Sequence, residues 1–371
     1  MSHQRWMRRC LQLAARAEGR TSPTPMVGCV IVDSDGEVVA EGYHRKAGGP
    51  HAEVVALRKA GKRAQGATMY VSLEPCNHHG RTPPCAPQVA AAGIARVIYA
   101  AADPIEGHDG GGKWLRANGV RCSGGVLADE ARELNRGFFS VAERGRPFVT
   151  VKSGASADGK IATRSGESQW ITGELARRRG HGLRDRLDAI MVGAGTVRAD
   201  DPQLTARGAK RARDPVRVVV DSRLRTSTKA RVLPGNSESK ARCILATTRD
   251  ASATAERRLT RQGAEVWRLA KAAGGRVSLP ALMKRLGSEG IATVLVEGGG
   301  ELVGSLMTAD LVDEIQLFMA PLVIGGPAPS WVEGAGAKTL DKARKFRYFG
   351  AAERVGDDLA IVFRRGEEDE A

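Results

Sequence analysis

The stretch Leu73-Glu74-Pro75-Cys76-Asn77-His78-His79-Gly80-Arg81-Thr82-Pro83-Pro84-Cys85, read with His51-Ala52-Glu53 upstream, decides the fold of the first half of this chain. It is polar and rich in proline, so it reads as a loop. An apolar run, Ala67–Leu73, leads into it as a strand, and Cys85–Ala92 leaves it as a short helix closed by Gly93. His51, Cys76 and Cys85 are ligands of the kind zinc takes, and three protein ligands leave a fourth tetrahedral position for water. Zinc lowers the pKa of such a water toward neutrality. Glu53 lies two residues past His51, on the first turn of a helix read over His51–Lys62. A carboxylate there can shuttle protons without binding the metal. The competing reading is a structural zinc site with His44, His78 or His79 as fourth ligand.

Working outward, residues 3–20 have helical spacing of Trp6, Met7, Cys10, Leu11, Leu13 and Ala14, broken by Pro23 and Pro25. Val27–Val32 and Val38–Glu41 form a hairpin around Ser34-Asp35-Gly36. Arg96–Ala100 is a strand, Lys113–Ala117 a helix and Gly119–Gly124 a returning strand, which together imply a mixed sheet covered by helices. Residues 140–147, with Arg144-Gly145-Arg146-Pro147, read as a linker. Beyond it come strands at Phe148–Lys152, Ala189–Val192, Val216–Asp221, Ala241–Thr247, Thr293–Val296 and Glu314–Phe318. Helices fit at Glu174–Asp185, Ser278–Gly287 and Glu301–Met307, so the second half is again α/β. The expected domains are 1–145 and 146–366, with an acidic, frayed end over Gly366–Ala371.

Composition narrows the function. The chain has 371 residues, with 57 Lys+Arg against 42 Asp+Glu, a net charge of +15. That excess is spread along the chain, and its densest stretches are only Arg177–Arg179 and Lys210–Arg213, too sparse for a nucleic-acid arm. Aromatic residues make up 4%, which leaves few stacking platforms for bases. A small anionic substrate accounts for the charge equally well. No apolar run is long enough to span a bilayer and no secretion leader is read, so a cytoplasmic, reduced protein is expected. In that setting Cys76 and Cys85, close together beside histidines, suggest metal and not a disulfide.

The arrangement H-x-E…P-C…C is the signature of zinc-dependent nucleobase deaminases. Most of these have two residues between the cysteines; here there are the eight of Asn77–Pro84. With that long loop, Leu73–Cys85 closely resembles the deaminase half of the bifunctional riboflavin-biosynthesis deaminase–reductases, as do Val27–Val32 and Ala47–Glu53. The second half resembles the same family's reductase in Lys152–Gly159, Gly166–Thr172, Ala189–Arg207, Val296–Gly300 and Pro321–Gly326. The resemblance implies an N-terminal cytidine-deaminase-like αβα sandwich with a mixed sheet and a C-terminal dihydrofolate-reductase-like α/β domain. It implies removal of an amino group from a phosphoribosylaminopyrimidine, then NADPH-dependent reduction of its ribosyl group. It places Gly154, Trp170, Thr196, Asp200, Ser222 and Gly299, Gly300, Glu301, Leu302, Val303, Gly304 and Ser305 on NADPH. It places Ser168, Arg184, Leu204, Arg207 and Glu297 on the substrate.

Several of these residues also carry readings of their own. The glycines after the strand Thr293–Val296 let backbone N–H groups and a helix N-terminus approach a phosphate. Arg184 and Arg207 can fork onto a phosphate, Trp170 is a core or lid residue, and Arg223 or Arg249 can meet the cofactor's 2′-phosphate. The chain departs from the family pattern at Thr24 and Ile105, where asparagine is usual, and in Glu106-Gly107-His108-Asp109. Those asparagines would sit near the pyrimidine, so substrate recognition is the property these changes touch. The expected protein is a homo-oligomer, dimer or tetramer, with no nucleic-acid or membrane partner. The alternatives are a deaminase of nucleic-acid bases and a non-catalytic, zinc-stabilised binding module.

Overall fold

A computed structural model describes residues 3–80, 83–108, 110–208 and 213–366. Arg81 and Thr82 of the cysteine loop, Asp109, Lys210–Ala212 of the basic stretch and the acidic residues 367–371 lie outside the described residues. The chain divides into two compact units, Met1–Arg146 and Pro147–Ala371.

The first unit runs α1 (His3–Ala15), β1 (Gly28–Val32), β2 (Val38–Tyr43), α2 (Ala52–Ala60), β3 (Thr68–Leu73), α3 (Cys85–Ala91), β4 (Arg96–Ala101), α4 (Gly111–Ala117), β5 (Arg121–Ser123), α5 (Ala128–Leu134) and α6 (Arg136–Arg144). Its sheet has the order β2-β1-β3-β4-β5. β1 is antiparallel to β2 and β3, while β3–β4 and β4–β5 are parallel. All five residues of β1 are buried, because alternate side chains serve opposite faces. Cys29 and Ile31 pack with Ala52, Ala56, Val89 and Leu115 of α2, α3 and α4. Val30 and Val32 pack with Trp6, Met7, Leu13 and Phe139 of α1 and α6. The result is an αβα sandwich. Its layers touch at Gly28, where a Cβ would stand 2.0 Å from the Cys10 carbonyl oxygen, and at Gly42, where one would stand 2.4 Å from that of Ala52.

Two expectations change here. The first helix stops at Ala15, and residues 16–20 are turns. The linker read over 140–147 is mostly helix: α6 runs to Arg144 and ends at Gly145 in the left-handed region, a common helix stop. Phe139 explains the difference, since its burial against Ala131 and Leu13 holds a segment whose other residues look like surface.

The second unit runs β6 (Phe148–Ser156), α7 (Glu174–Arg186), β7 (Ala189–Gly193), α8 (Ala194–Asp200), β8 (Val216–Val220), β9 (Cys243–Thr248), α9 (Ala253–Thr260), β10 (Glu265–Leu269), α10 (Leu279–Ser288), β11 (Thr293–Val296), α11 (Gly300–Thr308), β12 (Glu314–Ala320), β13 (Arg347–Tyr348), β14 (Glu353–Val355) and β15 (Asp358–Arg364). The sheet order is β10-β9-β8-β7-β11-β6-β12-β15-β13, with β14 on β15. Strands β10 through β12 in that order are parallel, and β15 reverses direction against β12. Parallel strands covered on both faces read as continuous apolar runs, as Ala-Ile-Met-Val of β7 does. Met191, Val218 and Ile244 face α10 and α11, while Ile190, Val219 and Leu245 face α9 and the segment around Val232 and Leu233. The crevice at the carboxyl ends of parallel strands is where open α/β sheets place ligands.

Candidate active sites

In the first unit, His51 is the N-cap of α2, with extended backbone (φ −68°, ψ 160°). An N-cap side chain normally accepts from the helix's first N–H groups. The His51 ring makes no such bond and instead points at the cysteines: Nδ1 lies 3.2 Å from Cys85 Sγ and 3.6 Å from Cys76 Sγ. The eight-residue insert does not separate the two cysteines, because its ends are tied. The Cys85 and Ala86 N–H groups both donate to the Cys76 carbonyl at 3.1 Å, and the Cys85 N–H reaches Cys76 Sγ at 3.4 Å. Cys76 follows β3 and Cys85 opens α3, so strand end and helix start converge on the start of α2.

The donor set fits zinc. The three ligand atoms lie within 4.8 Å of one another. With zinc–nitrogen and zinc–sulfur bonds of ordinary length, tetrahedral N···S separations are about 3.6 Å, close to those found. Donation from the Cys85 thiol, helped by the His51 ring, holds the Cys76 thiol down at about 4 despite burial. Sharing with that thiolate and burial push Cys85 up. Cys76 is the thiol more readily given up as a thiolate, and zinc binding requires both sulfurs to lose their protons. His44, His78 and His79 do not join the cluster among the described residues. His44 Nδ1 is 3.1 Å from the Pro50 carbonyl and Nε2 is 3.0 Å from Thr24 Oγ1, and the His78 ring stacks on His108. A closed four-ligand structural site has no support here.

Glu53 is buried on the first turn of α2. Burial pushes its carboxyl above the ordinary value; the His51 ring opposes this and the Cys76 sulfur adds to it. A raised carboxyl beside a metal position can both take and return a proton. Sequence reasoning quoted Glu74 within the motif but assigned no role to it or to Asn135. Glu74 Oε1 accepts from the Gly112 N–H at 2.8 Å and Oε2 from the Asp103 N–H at 3.4 Å, which ties the loop after β4 to the segment after β3 that carries Cys76. Asn135 exchanges two bonds with the Met26 backbone, at 2.7 and 2.9 Å. A charged residue at the end of an apolar strand was the one available signal for Glu74; Asn135 left none.

In the second unit a cleft of about 1950 Å³ opens at the carboxyl ends of β6, β7, β8 and β11. Gly154, Ser168, Trp170, Arg184, Thr196, Asp200, Leu204, Arg207, Ser222 and Glu297 all line it, as do Gly299, Gly300, Glu301, Leu302, Gly304 and Ser305. Val303 does not: at 2% exposure its side chain belongs to the core under α11. Trp170 is no core residue, being 67% exposed with the Arg177 guanidinium 4.3 Å from its ring centre. The glycines also divide. Gly298 and Gly299 need positive φ (127° and 65°), which L side chains resist. Gly300 and Gly304 are required by packing instead, since a Cβ would stand 2.3 Å from the Ser330 carbonyl oxygen and 1.5 Å from that of Glu333.

Arg184 departs most from expectation. Its Nε and Nη2 donate to the two Glu297 carboxylate oxygens at 2.9 and 2.7 Å, and Nη1 donates to the Thr205 carbonyl at 3.1 Å. The fork that was expected to hold a phosphate is therefore filled by a carboxylate. Burial pushes Glu297 up, but Arg184 and then Lys152 outweigh it and hold the carboxyl at about 2. Arg207 remains an exposed guanidinium whose Nε is 3.4 Å from Thr205 Oγ1. Arg223 lines the cleft with Arg198, Arg225 and Arg231; Arg249 does not. Lys152 and His181, which also line the cleft, were not singled out for roles from sequence.

Comparison with known proteins gives a family for each unit. Residues 1–101 match the cytidine and deoxycytidylate deaminase zinc-binding region, and residues 147–353 match the RibD C-terminal domain. The riboflavin biosynthesis protein RibD of Escherichia coli K12 is 41% identical, over 97% of this chain and 99% of its own length. That of Aquifex aeolicus is 38% identical, over 97% and 98%. Among solved structures, Acinetobacter baumannii RibD superposes with a TM-score of 0.88 at 34% identity, covering 98% of this chain and 99% of that one. A Thermotoga maritima diaminohydroxyphosphoribosylaminopyrimidine deaminase/5-amino-6-(5-phosphoribosylamino)uracil reductase gives 0.83 at 33%, covering 98% of each. A zinc-type deaminase unit followed by a reductase unit, alike over nearly the whole length, places this chain in the RibD family of bifunctional deaminase–reductases of riboflavin biosynthesis.

Proposed function

We propose that the first unit, residues 1–145, deaminates 2,5-diamino-6-(5-phosphoribosylamino)pyrimidin-4-one, and that the second, residues 146–366, reduces the ribosyl group of the resulting 5-amino-6-(5-phosphoribosylamino)uracil to ribityl. The observation that carries the reading is the His51, Cys76 and Cys85 cluster with Glu53 buried beside it. Zinc held there supplies Lewis acidity and a water of lowered pKa. Glu53 takes a proton from the attacking water as its oxygen bonds the amino-bearing ring carbon. It returns the proton to the amino nitrogen as the carbon–nitrogen bond breaks, and ammonia leaves.

In the second unit NADPH supplies the hydride equivalent for the open, imine-like form of the ribosylamino group. Thr196, Asp200, Ser222 and the turn at Gly298 and Gly299 line the wall that would take the cofactor, with Gly154 and Trp170 beside it. Ser168, Leu204 and Arg207 would meet the sugar phosphate, since Arg184 is already engaged by a carboxylate and Arg207 is not. Arg184 acts by fixing the Glu297 carboxylate in the cleft. The +15 charge suits a phosphorylated substrate. The protein would work in the cytoplasm as a dimer or tetramer, with small molecules as its partners; no helix among the described residues is long and apolar enough to cross a membrane. The test is to supply the diaminopyrimidine with and without NADPH. Ammonia release should occur in both cases and NADPH oxidation only after it; NADPH consumption without ammonia would contradict the order.

A further inference from the structure

The loop after β4 is one place where the sequence leaves its family pattern, and several contacts tie it to the deaminase site. Glu74 holds it through the Asp103 and Gly112 N–H groups. Gly111 is pressed on the backbone of Pro75, where a Cβ would stand 1.7 Å from the carbonyl oxygen. Asp103 Oδ1 accepts from the Ile105 N–H at 3.0 Å, and the His108 N–H closes a turn on the Ile105 carbonyl at 2.9 Å. That turn lays the His108 ring flat on the His78 ring, with centres 3.5 Å apart and planes 9° from parallel. His78 stands two residues after the ligand Cys76, and its surroundings include His51, Cys76 and Asp103. Its Nδ1 is buried with no hydrogen-bond partner among the described residues. Among the described residues, the stacked face of His108 is a contact that fits the plane of the His78 ring.

We infer that His108 is a positioning residue of the deaminase site: by stacking on His78 it holds that ring as one wall of the pocket that receives the pyrimidine. The inference rests on the deaminase reading above. It gives a role to the Ile105-Glu106-Gly107-His108 segment, where the chain departs from the family pattern. A free His78 ring would have to be ordered on binding, so the effect falls on affinity and not on the chemical step.

The experiment measures KM and kcat for ammonia release, together with zinc content, in full-length wild type, His108→Ala and His108→Phe. His108→Ala should raise KM about three- to tenfold, the range expected for one aromatic stack. Its kcat should change less than twofold and its zinc content not at all. His108→Phe, which keeps a flat ring, should restore KM to within about twofold of wild type by the same stacking argument. An unchanged KM in His108→Ala, a phenylalanine variant as impaired as the alanine one, or a fall in zinc content would each overturn the inference. Absence of ammonia release in wild type would instead overturn the deaminase reading on which it rests.

Discussion

The two units build their sites in opposite ways. In the first, the chemistry is local: a helix cap, a strand end and a helix start each contribute one ligand, and Glu53 is two residues from His51. In the second, the cleft draws on the ends of four strands and on loops from residue 152 to residue 335, and its central ion pair joins residues 113 positions apart. A site fixed by metal ligands tolerates little variation in residue type, whereas one built from backbone turns and a shared carboxylate can distribute its work. Substitutions of the zinc ligands and Glu53 should accordingly be all-or-none, and those in the second unit graded.

The largest effect should come from Glu53→Ala. General acid–base catalysis contributes about 10²- to 10⁴-fold, so ammonia release should fall at least that far while zinc content stays at one per chain. Metal analysis alongside the rate separates loss of the proton carrier from loss of the ion.

Breaking the pair in the second unit comes next. Arg184 and Glu297 are both largely buried, with side chains 18% and 11% exposed, and removing one partner of a buried pair typically costs about 3–5 kcal/mol. Glu297→Ala should therefore lower the denaturation midpoint of the second unit as well as its reductase rate. The pair also has a pH signature. Because the folded carboxyl is held at about 2, below its ordinary 4.5, its stabilisation is complete above the ordinary value and is lost as pH falls from 4.5 toward 2. Acid titration of thermal stability should be steeper in wild type than in Glu297→Gln; equal slopes would show that the pair is not what titrates.

Arg207→Ala removes one charge-assisted contact, worth about 1.5–3 kcal/mol. The expected loss is roughly ten- to hundredfold in reductase kcat/KM with deamination unchanged. Kinetics with the phosphorylated and dephosphorylated sugar should show the variant insensitive to the phosphate. Smallest is Arg223→Ala, which should narrow the preference for NADPH over NADH by roughly tenfold, the value of one hydrogen bond to a charged group. A ratio unmoved from wild type would shift the 2′-phosphate contact to Arg198, Arg225 or Arg231.

Much of this is legible in the amino-acid sequence. His51, Glu53, Cys76 and Cys85 stand in a pattern that suits zinc chemistry, and the end ties of the loop between the cysteines bring them together. Strands such as β7 and β11 are short apolar runs and read correctly. The missed elements have physical reasons. β13 is two residues long and exposed, and β15 is half-buried without a clean alternation, because it pairs with β12 on one side and the short β13 and β14 on the other. α9 carries Glu256, Arg257 and Arg258 and buries only Ala255 and Leu259. The Arg184–Glu297 pair is invisible in sequence because its members lie 113 positions apart and an arginine suits a phosphate as readily as a carboxylate. Val303 has the motif position of a cofactor contact, but the helical period turns it into the core.

The central claim is that two independent active sites share one chain. The direct test is to feed the deaminated intermediate and NADPH to zinc-loaded Glu53→Ala and follow absorbance. Oxidation of NADPH at the wild-type rate, by a protein that releases no ammonia from the diaminopyrimidine, is the predicted result. Loss of both activities in this variant while it remains folded would contradict the account, because a single substitution in the first unit would then reach the chemistry of the second.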